Sequence, residues 1–115
     1  MQNVPLILHT GCGLVFAIVA LPLMLRRVPM NHAYGIRVAD AFRSHAVWYD
    51  VNAYGGRLLF VCGLGLTTFG LFASRFAPSA HSPWFLAFLL LPIVSVLFTI
   101  LPILRFARLR AASEQ

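Results

Sequence analysis

Charge is what this sequence has least of. Lysine is absent, and Asp, Glu and Arg together make up 10% of the residues, where soluble globular domains carry about 25%. That scarcity, with 60% hydrophobic residues and a mean hydropathy of +0.84, excludes an ordinary soluble domain. Three stretches contain no Lys, Arg, Asp or Glu at all: VPLILHTGCGLVFAIVALPLML (Val4 to Leu25), LLFVCGLGLTTFGLFAS (Leu58 to Ser74) and WFLAFLLLPIVSVLFTIL (Trp84 to Leu101). Each is close to the roughly 17–25 residues that cross a hydrocarbon core of about 30 Å.

Other absences narrow the class. The runs do not alternate apolar with polar residues, which excludes the strands of a membrane β-barrel. No basic side chain precedes the first run, as a cleaved leader would require, so the first helix is expected to be retained. There are two cysteines. Cys12 falls in the outer half of the first span and Cys62 about a turn inside the opposite end of the second, so the two differ in depth and a disulfide is not expected. Both read as buried small residues. No HExxH, paired CxxC, glycine-rich phosphate loop or GxSxG occurs. His32, His45, Asp40 and Asp50 match no familiar metal-ligand spacing, and a lipid-directed enzyme built on His45, Asp50 and Arg57 lacks a nucleophile and base pair. Neither an enzyme nor a metal or other cofactor is expected.

What is present points to an all-α integral membrane three-helix bundle forming a single domain over 1–115. Its spans are expected at about 4–25, 58–74 and 84–104, with a cytoplasmic turn and interfacial helix over 26–57 between spans one and two. All nine cationic residues are arginines. Arg26, Arg27, Arg37, Arg43, Arg57, Arg105, Arg108 and Arg110 fall on one side of the spans and only Arg75 on the other, which by the positive-inside rule puts the N-terminus outside and the C-terminus in the cytoplasm. The net charge of +6 is accounted for by this topology signal and by attraction to anionic lipid, without nucleic acid.

Helices in lipid associate through close backbone approach, and small residues mark where. Gly56, Gly63 and Gly70 repeat every seven residues, with Thr67 on the same side, and predict a packing seam on span two. Gly13 and Ala17 of span one, and Ser95 and Thr99 of span three, are its expected mates. Pro92 is expected to bend span three, whereas Pro22 and Pro102 lie near the cytoplasmic ends. His9, within two turns of the outer surface, is expected to be solvated at the interface.

The segment MNHAYGIRVADAFRSHAVWYDVN, residues 30–52, stands apart, with four aromatics, two arginines, two aspartates, two histidines and two asparagines. Pro29 and Asn31 end the exit from span one, and Gly35 supplies a positive φ that reverses the chain and aims Arg37. Asp40 is placed to cap a helix through AFRSHAVWYDVNAY, with His45, Trp48 and Asn52 on one face and Asp50, Tyr54 and Arg57 on another. Gly55 and Gly56 predict a bend where that helix meets span two. An interfacial anchor accounts for Phe42, Trp48, Tyr49, Tyr54, Arg43 and Arg57. It does not account for Asn31, Asn52 and the Gly-x-Arg turn.

Asn31, Tyr34, Gly35, Ile36, Arg37, Trp48, Asn52 and Gly56, in the order N, YGIR, W, N, G and followed by a span, resemble the signature of the SdpI family. These are bacterial membrane proteins named for immunity to a secreted peptide toxin. The likeness is close over about residues 20–75. Val38 stands where members usually have Thr, and Ala46 and Val47 stand where an acidic or polar pair often precedes the Trp. The resemblance implies a toxin-immunity or signalling protein of the bacterial inner membrane, with a membrane-active peptide toxin and a cytosolic repressor as partners.

Two roles are open for the motif. Arg37 could clamp an anion or carboxylate in a polar pocket with Asn31, Trp48 and Asn52, or it could bond backbone carbonyls in a folding staple. From a different class, a homo-oligomer could line a transport path, although His9 is the only ionisable side chain within the spans and such pathways use several.

Overall fold

A computed structural model describes residues 3–115. The described residues form four α-helices, α1 (Val4–Met24), α2 (His45–Ala73), α3 (Trp84–Leu89) and α4 (Leu91–Ala112), and two 3-10 turns at Ala39–Arg43 and Ser74–Phe76. α1, α2 and α4 are each long and apolar enough to cross a membrane. Met1 and Gln2, which open the sequence before the first apolar run, lie outside the described residues.

α1 ends without a glycine. Arg26 takes the left-handed backbone conformation, with φ of 60°. The Arg26 N–H bonds the Leu23 carbonyl at 3.1 Å and the Arg27 N–H bonds that of Pro22 at 3.0 Å. These paired closing bonds use carbonyls that the helix leaves free. A glycine would adopt this conformation at lower cost.

The polar segment departs from the expected interfacial helix. Asp40 makes no cap; Ala39–Arg43 is a 3-10 turn, and the chain is extended at Ser44 (φ −158°, ψ 167°) before helix resumes at His45. Ser44 is the cap, its Oγ accepting the Val47 N–H at 3.1 Å. From there α2 runs unbroken through Gly55 and Gly56, where a bend was expected. Packing holds these glycines in the helix: Gly55 faces the side chains of Ile36 and Ile103, and Gly56 faces the backbone of Ala20 and Met24. At about 1.5 Å per residue, 29 residues exceed the roughly 30 Å core by about two and a half turns. Asp50 and Arg57 place the excess at the N-terminal end.

α1 and α2 lie close along their length. A methyl added at Gly63 would stand 2.5 Å from the Gly13 carbonyl oxygen and 2.7 Å from the Ala17 nitrogen, and one at Gly70 would stand 2.7 Å from the Thr10 nitrogen. Thr67 Oγ1 bonds the Gly63 carbonyl at 2.9 Å and faces Gly13. Ser95 and Thr99 of α4 are not part of this seam. Their hydroxyls bond carbonyls of their own helix, Pro92 at 2.8 Å and Val96 at 2.6 Å. α4 meets α2 instead through its C-terminal half, where Ile103, Ala107 and Ala111 are buried with Val47, Trp48 and Val51 and Phe106 stacks on Tyr54 at 4.2 Å.

At the opposite end, helix is interrupted at Leu90, just ahead of Pro92. Proline has no N–H to give the Phe88 carbonyl four residues back. His9 Nε2 lies 2.9 Å from that oxygen and Nδ1 2.6 Å from the Pro5 carbonyl oxygen. The expectation of a solvated His9 is overturned: its side chain is fully buried, with its ring against Phe69 and Phe88. The orphaned carbonyl explains why a polar ring is kept there. Cys12 and Cys62 are both free and half-exposed, so the reading of them as buried residues is corrected.

Candidate functional site: the polar end of the bundle

The connector between α1 and α2 folds through the side chains singled out in the sequence. Asn31 Oδ1 accepts the N–H groups of Ala33 at 2.8 Å and Tyr34 at 2.6 Å, while Nδ2 donates to the carbonyls of Pro29 at 2.7 Å and Tyr34 at 3.0 Å. That uses all four hydrogen-bonding positions of one amide to set one turn. Gly35 follows with φ of +123°, a conformation that other residues rarely adopt. A side chain there would also meet Asn52 Oδ1 at 2.8 Å and the Trp48 ring at 3.0 Å.

Two residues of α2 receive the turn. Asn52 Oδ1 accepts the Ile36 N–H at 2.6 Å and its Nδ2 donates to the Trp48 carbonyl at 2.9 Å. Trp48 is fully buried, and its Nε1 donates to the Val28 carbonyl at 2.9 Å, so the indole has both an apolar enclosure and a partner for its N–H. Phe42 lies against Trp48 at 5.2 Å and stacks on His32 at 5.1 Å. The Tyr34 hydroxyl donates to the Val19 carbonyl, tying the connector back to α1.

Asn31, Tyr34, Gly35, Trp48 and Asn52 are therefore brought together and matched with one another or with backbone. Arg37 donates to the His32 carbonyl while its side chain stays exposed. Arg57 is exposed outside this network, and His45 is exposed although it is one helical turn from buried Trp48. Gly56, Gly63, Thr67 and Gly70 belong to the α1 contact already described.

A second cluster had no signal in the sequence. Asp50 pairs with Arg26 at 2.8 Å and with Arg110 at 2.6 Å, joining the end of α1, the start of α2 and the end of α4. Arg110 also reaches Ser113 at 2.9 Å and Glu114 at 3.5 Å. Desolvation pushes the Asp50 carboxyl up, but hydrogen bonds and charge from Arg26 and Arg110 outweigh it and hold the group below its ordinary value. Asp50 in turn raises Arg110, against its partial desolvation. Asp50 and Arg110 are 60 residues apart, so no local pattern could relate them.

With its amides and indole satisfied internally, this end exposes mostly guanidinium, from Arg27, Arg37, Arg43, Arg57, Arg105 and Arg108, beside the Asp40 carboxylate and the His32 and His45 rings. Guanidinium groups bind carboxylates and phosphates in bidentate fashion. No curated protein and no solved structure matches the chain. A family model described as the SdpI/YfhL protein family matches residues 27–103, taking in the connector, all of α2 and α3, and α4 as far as Ile103, the first of its residues buried against α2. The chain belongs to the SdpI/YfhL protein family.

Proposed function

We propose that this chain acts in toxin immunity or membrane signalling in the bacterial cytoplasmic membrane, without catalysis, and that the polar end of the bundle is its signalling surface. The N-terminus lies outside and the connector at the cytoplasmic interface, in keeping with eight of nine arginines at that end. A membrane-active peptide toxin is the expected stimulus, and a cytosolic repressor with an acidic face is the expected partner of the exposed arginines. The observation that carries this reading is the family match over the connector and the helices that hold it.

The geometry supports a division of labour within the motif. Asn31, Tyr34, Gly35, Trp48 and Asn52 build a rigid platform, and Arg37 stands on it with its charge outward, one N–H fixed by the His32 carbonyl. Expression in a toxin-sensitive strain is expected to protect the cells. Arg37→Ala is expected to accumulate in membranes with unchanged thermal stability yet lose protection. Absence of protection by the wild type, together with movement of a labelled solute across liposomes by the purified protein, would replace this reading with transport.

A further inference from the structure

We infer that the end of the bundle opposite the Asn31–Asn52 network holds a binding site for an amphipathic anion, a carboxylate or phosphate headgroup carrying an apolar tail, with Arg75 as its counter-ion. A cleft of about 700 Å³ opens there, between the start of α1, the end of α2, the connector after Arg75 and the start of α3. Its volume lies in the range of about 300–1,000 Å³ typical of small-molecule sites.

The chain's own charges point to the ligand class. Arg75 lines the cleft and is the only charged residue between Arg57 and Arg105. The three acidic residues are Asp40, Asp50 and Glu114. Asp50 and Glu114 are both engaged by Arg110, and Asp40 sits in the 3-10 turn packed at that same end. No carboxylate side chain of its own chain stands at the Arg75 end of the bundle, so an anion paired with it there comes from outside. A guanidinium favours a two-oxygen acceptor. The remaining walls define the tail: Leu6, Leu71, Pro78 and Phe85 are apolar, while Asn3 and Ser79 add neutral polar groups.

The cleft is also braced from below. Pro5, one of its wall residues, lies one helical turn before buried His9, whose Nε2 is 2.9 Å from the Phe88 carbonyl oxygen of α3. The same ring contacts Phe69 of α2 and Phe88 of α3. Three walls are therefore fixed to one another before a ligand arrives, which lowers the ordering cost of binding. This site is separate from the polar end, and its test does not depend on the immunity reading.

The experiment uses the full chain in phosphatidylcholine nanodiscs and reads tryptophan fluorescence. Trp84 neighbours the cleft residue Phe85, whereas Trp48 is buried at the other end, so contact quenching by brominated tails reports on Trp84. Brominated stearate and brominated phosphatidylglycerol are titrated separately, with brominated phosphatidylcholine as the zwitterionic control. Saturable quenching by an anionic probe is expected, with at least a tenfold rise in half-saturation concentration in Arg75→Gln. The same loss is expected in Ala77→Phe, which fills the cleft with the charge intact. Asp40→Asn, which removes a charge at the opposite end, is expected to bind as wild type. A response to stearate alone identifies a free carboxylate as the ligand, and one to phosphatidylglycerol alone identifies a lipid phosphate. Quenching that stays linear in probe fraction, that the zwitterionic control reproduces, or that both cleft variants leave unchanged would overturn the site.

Discussion

Where α2 meets α1, Gly56, Gly63 and Gly70 bring backbone against backbone; where it meets the connector and α4, Trp48, Asn52 and Tyr54 bring large side chains against chosen partners. The difference follows from the solvent. Between two spans, lipid is as apolar as the side chains, so association depends on close contact and small residues. At the polar end water competes, so enclosing an indole and an apolar cluster is itself stabilising. Added atoms should therefore break the seam, and removed atoms should break the polar end.

The largest effect is expected for Trp48→Ala, which empties the centre of the buried cluster and orphans the Val28 carbonyl. A loss of about 3–5 kcal/mol is expected for such a truncation, measured by denaturant or thermal unfolding in detergent. Next comes Gly63→Ala. The new methyl meets the Gly13 oxygen and the Ala17 nitrogen of the facing helix, neither of which can rotate away, so overpacking of about 1–3 kcal/mol is expected. Gly65→Ala on the same helix meets nothing within 4 Å and should unfold at the wild-type temperature or slightly above it. Equal losses at positions 63 and 65 would show that the seam is no more sensitive to bulk than the lipid-facing surface.

A third variant sharpens the polar end. Asn52→Ala leaves the Ile36 N–H without its acceptor, a loss of about 1–2 kcal/mol, and should loosen residues 28–38 before the helices separate. Faster amide exchange confined to the connector is the expected readout. The smallest effect concerns Asp50. Its folded pKa lies below the ordinary value, so its stabilising contribution is fully present above about pH 4 and is lost as pH falls through the lowered folded value. The wild-type melting temperature should fall over that acid range, and Asp50→Asn should lack this component. The partners are partly exposed, which keeps the effect small and reducible by salt.

The spans were legible because a membrane demands long charge-free runs, and α1 ends within one residue of its expected boundary. The other two boundaries were legible only in part. Leu58 marks where charge stops, not where helix starts, and Ser44 sets the real beginning of α2 by an extended backbone that the surrounding helix-forming composition conceals. Likewise α4 runs on to Ala112, eight residues past the expected end, because Ala107 and Ala111 find a buried surface on α2. Asn31, Gly35, Trp48 and Asn52 were recognisable as a set. Their partners were not, since most are backbone carbonyls and amides that carry no residue identity.

By itself, then, the sequence determined that this is an all-helical membrane chain, with a glycine repeat on α2 and one polar connector, because lipid penalises unpaired backbone and charge over every residue of a span. Only the tertiary structure decided that the glycines face α1 and not α4, that His9 is enclosed against the carbonyl left free by Pro92, and that Asp50 gathers Arg26 and Arg110. Each of these rests on contacts between residues distant in the chain, and their energy depends on the three-dimensional approach of helices, which local sequence periodicity does not encode.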